Sequence, residues 1–194
     1  MDDHVAALLD EMHRSGIAHD ARTSDRRNRF RNLDPASGAL LGVLVRISRA
    51  QAVLELGTSN GYSTIWLADA LHTTGGRLTS VDIDAARSGL AADNLQRAGL
   101  SAVVDLRIAD AGDMLREAAD AAYDVVFLDA ERPAYASYWP DLLRILRPQG
   151  LLAVDNVLSH VADVRDFRTL VDAADGLTQA LAPTRAGLLL VVKD

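Results

Sequence analysis

Short apolar runs alternate along this chain with longer stretches of helical period, and that alternation sets the architecture. Ala52–Leu56, Arg77–Val81, Val103–Ile108, Tyr123–Leu128 and Leu151–Val154 read as strands. Between them, Gly61–Leu71, Asp84–Ala98, Asp113–Ala119 and Ala134–Leu146 read as helices. Gly99 stops the second of these, and Pro148-Gln149-Gly150 stops the last. Within that last helix Tyr135, Tyr138, Leu142 and Ile145 share one face at helical spacing. Upstream, an amphipathic helix over Asp3–Arg14 leads into a polar stretch ending in the basic cluster Arg26–Arg31. Asp34-Pro35 then supplies an N-cap acceptor and a first-turn proline for a helix reaching about Arg49. Downstream, a helix over Asp163–Ala174 precedes Leu177–Leu181 and Gly187–Val192, close enough through Pro183–Ala186 to pair as a hairpin.

Strands alternating with helices predict an α/β fold, a doubly wound and mostly parallel sheet with helices on both faces. The terminal hairpin adds antiparallel strands at one edge. No repeat or low-complexity segment interrupts the chain, so residues 33–194 are expected to form one domain behind an N-terminal helical extension, residues 1–32. With 194 residues the chain is long enough for one good core. No apolar run approaches the roughly 20 residues needed to cross a bilayer, and the acidic start Met1-Asp2-Asp3-His4 resembles neither a secretory signal nor a transit peptide. Cysteine is absent, which excludes disulfides, thiolate catalysis and thiolate-bound zinc and fits a reducing cytoplasm. A net charge of −7 argues against nucleic acid or an anionic membrane as partner. The expectation is a cytoplasmic protein acting on a small molecule.

Chemistry concentrates where the strands end. Asp129 follows Val125-Val126-Phe127-Leu128, and Asp155-Asn156 follows Leu151-Leu152-Ala153-Val154. In an open parallel sheet the carboxyl ends line the ligand crevice. Two carboxylates and an amide there form a hard oxygen set, suited to a divalent metal or a hydrogen-bonded polar ligand. Glu55-Leu56-Gly57-Thr58-Ser59-Asn60-Gly61-Tyr62-Ser63 joins the first strand to its helix, where glycines let the backbone approach a ligand and free N–H groups face it. The G-x-G-x-x-G dinucleotide fingerprint is missing, and a glycine after a strand is also an ordinary tight turn. Asp82 ends the second strand about 20 residues beyond the loop, where an acid accepts from ribose hydroxyls. Asp110 ends the third. Either acid alone is also readable as a cap on the following helix. Four acids on one sheet edge repel unless a cation or polar ligand compensates them.

The segments Val53–Ser63, Ser80-Val81-Asp82, Tyr123–Ala130 and Gly150–Asn156 together resemble a class I S-adenosylmethionine-dependent O-methyltransferase, of the catechol and caffeoyl-CoA type and its small bacterial cousins. The resemblance runs from about residue 33 to the C-terminus. It implies a seven-stranded Rossmann-like sheet whose last strand is antiparallel. It places Glu55, Gly57 and Ser63 around the methionine part of the cofactor, Asp82 on the ribose and Asp110 beside the adenine amino group. It makes Asp129, Asp155 and Asn156 ligands of a divalent metal, with magnesium favoured over manganese or calcium. The implied reaction is direct in-line transfer of a methyl group to a hydroxyl of a small phenolic or catechol-like acceptor, whose neighbouring oxygens could chelate the ion.

Some positions depart from the family pattern. The usual lysine three residues after the first metal aspartate is Arg132, which effectively cannot act as a base. Two readings stand: Arg132 neutralises a phenolate or binds a substrate carboxylate, or it pairs with Asp129 or Glu131. His160, four residues beyond Asn156, has a suitable pKa for the base; it is also readable as a further ligand or a surface loop histidine. The family's longer N-terminal region closes the acceptor pocket and supports a homodimer. Here that region is short, and Arg26–Arg31 reads either as a solvated basic face or as a lid for an acidic acceptor. Tyr135 and Tyr138 either flank an aromatic acceptor or pack internally. Two rivals differ in class. One is a non-catalytic S-adenosylmethionine-binding module. The other is an α/β-hydrolase using Ser59, because Gly57-Thr58-Ser59-Asn60-Gly61 matches G-x-S-x-G with Asp129, Asp155 and His160 downstream.

Overall fold

The computed structural model describes residues 1–194. Its elements run α1 (Asp3–Arg22), α2 (Pro35–Ile47), β1 (Ala52–Leu56), α3 (Tyr62–Thr74), β2 (Arg77–Asp82), α4 (Ala85–Ala98) and β3 (Val104–Ile108). The second half runs α5 (Ala111–Glu117), β4 (Tyr123–Leu128), α6 (Tyr135–Ile145), β5 (Leu146–Val154), α7 (Arg165–Ala173), β6 (Leu177–Ala182) and β7 (Leu188–Lys193).

The strands form one seven-stranded sheet in the order β3-β2-β1-β4-β5-β7-β6. The first five pair in parallel, and β7 is antiparallel to both β5 and β6. The α/β expectation and its antiparallel C-terminal hairpin therefore hold. Val125–Leu128 of β4 and Leu151–Val154 of β5 read as unbroken apolar runs because both faces of the sheet are covered. Val53, Val125, Phe127 and Leu151 face a core shared with α1, α2, α3 and α4. Their neighbours Leu54, Val126, Leu128 and Leu152 face a second core shared with α6 and α7. Leu54 and Val126 have no exposed surface; truncating such a leucine to alanine typically costs about 2–5 kcal/mol.

Some boundaries move. Helix α1 continues to Arg22, eight residues past the expected end, because nothing between Arg14 and Arg22 breaks it. Gly16 is used for close packing instead: a Cβ there would press into the Asn32 amide. Strand β5 begins at Leu146 and runs through Pro148-Gln149-Gly150, which therefore does not separate helix from strand. Pairing of Tyr123 with Leu146, across a register shift before Val125, makes room for it. On α6 the buried face is Tyr135, Trp139, Leu142 and Ile145, so Trp139 takes the place expected for Tyr138.

The first 22 residues do not stand apart from the core. Val5, Leu8, Leu9 and Met12 pack into the same apolar cluster as Leu41, Val45 and Ile65. This packing lays α1 beside α3 and α4 and brings the segment after it over the carboxyl ends of the strands.

Candidate active site

Chain order reverses between β1 and β4, and a ligand crevice is expected where the sheet order reverses. The glycine loop leaves β1 at that point. Spatially, the strand-end acids then follow the sheet: Asp110 after β3, Asp82 after β2, Asp129 after β4 and Asp155 after β5. A single cavity of about 750 Å³ runs along this edge, lined by all four acids and by Gly57, Ser63, Asn156, Arg132 and His160.

The loop is built for close approach. Gly57 has φ +108, and a Cβ there would overlap the Asp129 carbonyl. Gly61 has φ +85 and offers no side chain to cap α3; the Tyr62 N–H at the helix start donates to Asn60 Oδ1 at 3.4 Å, and Tyr62 and Ser63 line the cavity. Asp82 fixes the loop from the neighbouring strand. Its Oδ2 accepts from the Ser59 N–H at 2.7 Å and its Oδ1 from the Asp84 N–H at 2.9 Å. Asp84, not Asp82, caps α4, whereas Asp110 does cap α5.

Glu55 lies behind the lining. It is fully buried, and Ser63, Thr64 and Ser80 donate hydroxyls to it at 2.5, 2.6 and 2.6 Å. Burial drives its pKa up to about 7, although those three hydroxyls pull it down. It reaches the cavity only through Ser63, which does line it.

Asp129 and Asp155 meet across the amide of Asn156. Its Nδ2 donates to Asp129 Oδ1 at 2.9 Å and to Asp155 Oδ2 at 2.8 Å. Asn156 adopts φ 68, a left-handed conformation that turns the chain sharply after β5. Burial, and then the neighbouring Asp155 charge, raise the Asp129 pKa well above the usual carboxylate range. Asp155 is 3% exposed, and burial raises its pKa to about 6. Its Oδ1 is buried without a hydrogen-bond partner. No group of three or more acidic or histidine side chains converges as a metal site; the acidic pair with its orphaned oxygen could contribute two oxygens to a hard cation, and a half-turn of the Asn156 amide would present its oxygen to the same point.

Arg132 is buried and pairs with neither Asp129 nor Glu131, as had been one reading. Its ion-pair partner is Asp163, 3.5 Å from Nε. His160 faces the cavity from the turns after β5. Its Nδ1 is 2.9 Å from the Ser159 hydroxyl. Partial burial, followed by the Arg132 charge, lowers its pKa, so the ring is neutral near neutral pH. Tyr135 is core: its hydroxyl donates to Ala130 O at 3.2 Å and its ring meets Phe167 edge-on. Tyr138 instead lines the cavity on the Asp110 side.

The residues between α1 and α2 cross over the cavity, and Arg27, Phe30 and Arg31 line it. Anchors from α1, the glycine loop and α4 hold this strap. Asp20 accepts from the Phe30 and Arg31 N–H groups at 2.8 and 2.9 Å. Ser59 Oγ donates to the Phe30 carbonyl at 3.2 Å. Arg87 of α4 donates to the Arg27 and Arg29 carbonyls. Arg27 and Arg31 of the basic cluster thus line the cavity, Arg26 does not, and all three remain exposed to solvent. Sequence reasoning missed the rest of that wall, notably His13 and Ile17 of α1 and Arg185 of the hairpin. A lone histidine on an amphipathic helix carries no signal of its own.

Fold and acidic crevice together define a Rossmann-like methyltransferase. The O-methyltransferase family model matches residues 12–178, and the chain belongs to that family, with S-adenosylmethionine as methyl donor. It is 38% identical over 130 residues to a catechol O-methyltransferase of Niastella koreensis, a match covering 66% of this chain and 58% of that protein. A Mycobacterium leprae protein named as an O-methyltransferase is 32% identical over 196 residues, covering 92% of this chain and 87% of the relative. The Bacillus cereus O-methyltransferase crystallised with S-adenosylhomocysteine superposes with a TM-score of 0.82 at 27% identity, covering 97% of this chain and 91% of that one. TomG of Streptomyces achromogenes, crystallised with S-adenosylmethionine, gives 0.79 at 26% identity, covering 100% and 90%. The hydrolase rival falls with this assignment, and in the structure Ser59 Oγ is bonded to the Phe30 carbonyl.

Proposed function

We propose that the protein transfers the methyl group of S-adenosylmethionine to one hydroxyl of an ortho-dihydroxy aromatic acceptor, with a divalent cation, magnesium by preference, held by Asp129, Asp155 and Asn156. The observation that carries this reading is the buried acidic pair on the cavity floor with the orphaned Asp155 Oδ1. An enzyme that only gathered cofactor and acceptor would gain nothing from two desolvated carboxylates side by side. The Niastella relative is named a catechol O-methyltransferase, which agrees with this acceptor class.

The sulfonium brings an already activated methyl group, and the cation, when bound, lowers the pKa of an acceptor oxygen. The chain's own residues do the positioning. Gly57, which carries no side chain, and the positive N-terminal end of α3 let the donor lie against the backbone. Ser63, held by Glu55 from behind, faces the methionine end. Asp82 offers its remaining lone pairs to the ribose hydroxyls, and Asp110 stands at the adenine end. His160, neutral at working pH, accepts the proton of the attacking hydroxyl. The strap over residues 24–32 covers the crevice and keeps water from the transfer.

Adjacent hydroxyls are the discriminating feature. Catechol should be methylated by the magnesium-supplied enzyme and its meta isomer resorcinol should not, as read by mass spectrometry of the products. Equal methylation of both would overturn the chelating acceptor. The alternative of a non-catalytic S-adenosylmethionine-binding module predicts that neither is methylated.

A further inference from the structure

Arg132 is 8% exposed, yet its Nε is buried with no hydrogen-bond partner, and no other protein group hydrogen-bonds its guanidinium. The nearest anion, Asp163 Oδ2, stands 3.5 Å from Nε on a half-exposed side chain, too far for a good hydrogen bond. A buried cation left in this state is costly unless something else satisfies it. Asp129, the other nearby acid, is already engaged by Asn156. Arg132 lines the cavity.

Arg31, an exposed residue, lines the same cavity from the strap, and its guanidinium has no hydrogen bond or ion pair in the protein, so it is free to turn toward a ligand. Its backbone is held in a left-handed conformation, φ 51, by the bond from its N–H to Asp20. That conformation is uncommon for a side-chain-bearing residue and persists where surrounding contacts impose it. The charges of Arg31 and Arg132 both act on Asp129 and on His160, and all four residues line the same cavity. Ile17 and Leu33 add apolar lining to the same cavity.

We propose that the acceptor carries a carboxylate as well as its adjacent hydroxyls, and that Arg132, backed by Arg31, binds that carboxylate. The inference rests on the reading of the enzyme as a catechol-type methyltransferase and narrows its substrate class to aromatic acids. A planar carboxylate matches the guanidinium fork in two parallel hydrogen bonds, which the ammonium of a lysine at this position could not make. Asp163 is the resting counter-ion that the incoming carboxylate displaces.

Calorimetric titration of the enzyme loaded with S-adenosylhomocysteine and magnesium, using protocatechuate and its primary amide, tests this without turnover. The acid should bind roughly tenfold or more tighter than the amide, as a charge-assisted hydrogen-bonded pair requires. Arg132→Gln should remove most of that preference and Arg31→Gln part of it, while Asp163→Asn should increase it. Retained S-adenosylhomocysteine binding shows that each variant is folded. Equal binding of acid and amide, binding of neither, or a preference unchanged in both glutamine variants would overturn the proposal. Arg132-dependent acid binding without methyl transfer would leave it standing and remove the catalytic reading instead. Methylation of catechol with no preference for the acid would do the reverse.

Discussion

The side-chain amide of Asn156 donates to the carboxylate of Asp129 across 2.9 Å, joining the ends of two adjacent parallel strands at the floor of the cavity. An amide N–H in that position does part of what a cation would do, since it offers positive charge to acids that burial otherwise drives toward their neutral form. In this account the acidic pair serves the acceptor and not the methyl donor. Asp129→Ala should therefore lower methyl transfer by about a hundredfold or more, the scale of several kcal/mol of cation assistance. Affinity for S-adenosylhomocysteine should barely change. Turnover assays and calorimetry on the same preparation separate the two effects.

His160 stands apart from the donor residues, and its neutral ring is available at working pH. His160→Ala should slow turnover by roughly a hundredfold, the lower end of what a positioned general base contributes, with cofactor binding intact. An unchanged kcat would remove His160 from the mechanism.

Glu55 makes a prediction about pH and stability. Its folded-state pKa of about 7 lies above the ordinary 4.5. The folded protein therefore binds a proton there more tightly than the unfolded chain does. The resulting stabilisation is fully present below pH 4.5 and is lost as pH rises through about 7. A shift of that size corresponds to at most about 3 kcal/mol. The ligand-free protein should lose this component of stability between those limits, and Glu55→Gln should flatten the change. Chemical denaturation at a series of pH values measures it. An equally steep loss in the variant would show that some other group is responsible.

Gly57→Ala forces a Cβ into the Asp129 carbonyl and a left-handed backbone onto a residue that avoids it. The variant should be destabilised by about 1–3 kcal/mol from the backbone conformation alone, with more from the overlap. It should bind the cofactor poorly even where it remains folded. A thermal melt with and without S-adenosylhomocysteine reads both: the wild type is stabilised by the ligand and the variant is not.

Much of the sheet was legible in the chain because the central strands are covered on both faces, and double coverage leaves unbroken apolar runs such as Val125–Leu128. Asp129 and Asp155 were legible for the same reason, since each ends such a run, whereas Asp82 and Asp110 end mixed strands nearer the sheet edge. Elements held by tertiary pairing were harder. Strand β5 begins before a proline and a glycine that locally argue against a strand, and on α6 Trp139 takes the core place that helical spacing alone offers equally to Tyr138. The cavity wall from α1 and the strap was the least legible part. Asp20, Ser59 and Arg87 place Phe30 and Arg31 through hydrogen bonds between side chains and backbone groups far apart in sequence. A pattern of polar and apolar positions does not record such bonds.

Metal dependence of methyl transfer to catechol tests the central claim most directly. Purified enzyme treated with a chelator and supplied with labelled S-adenosylmethionine should transfer almost no methyl group. Magnesium in excess should restore transfer in the wild type and fail to restore it in Asp129→Ala. Full transfer in the presence of chelator, with Asp129→Ala as active as the wild type, would contradict the account.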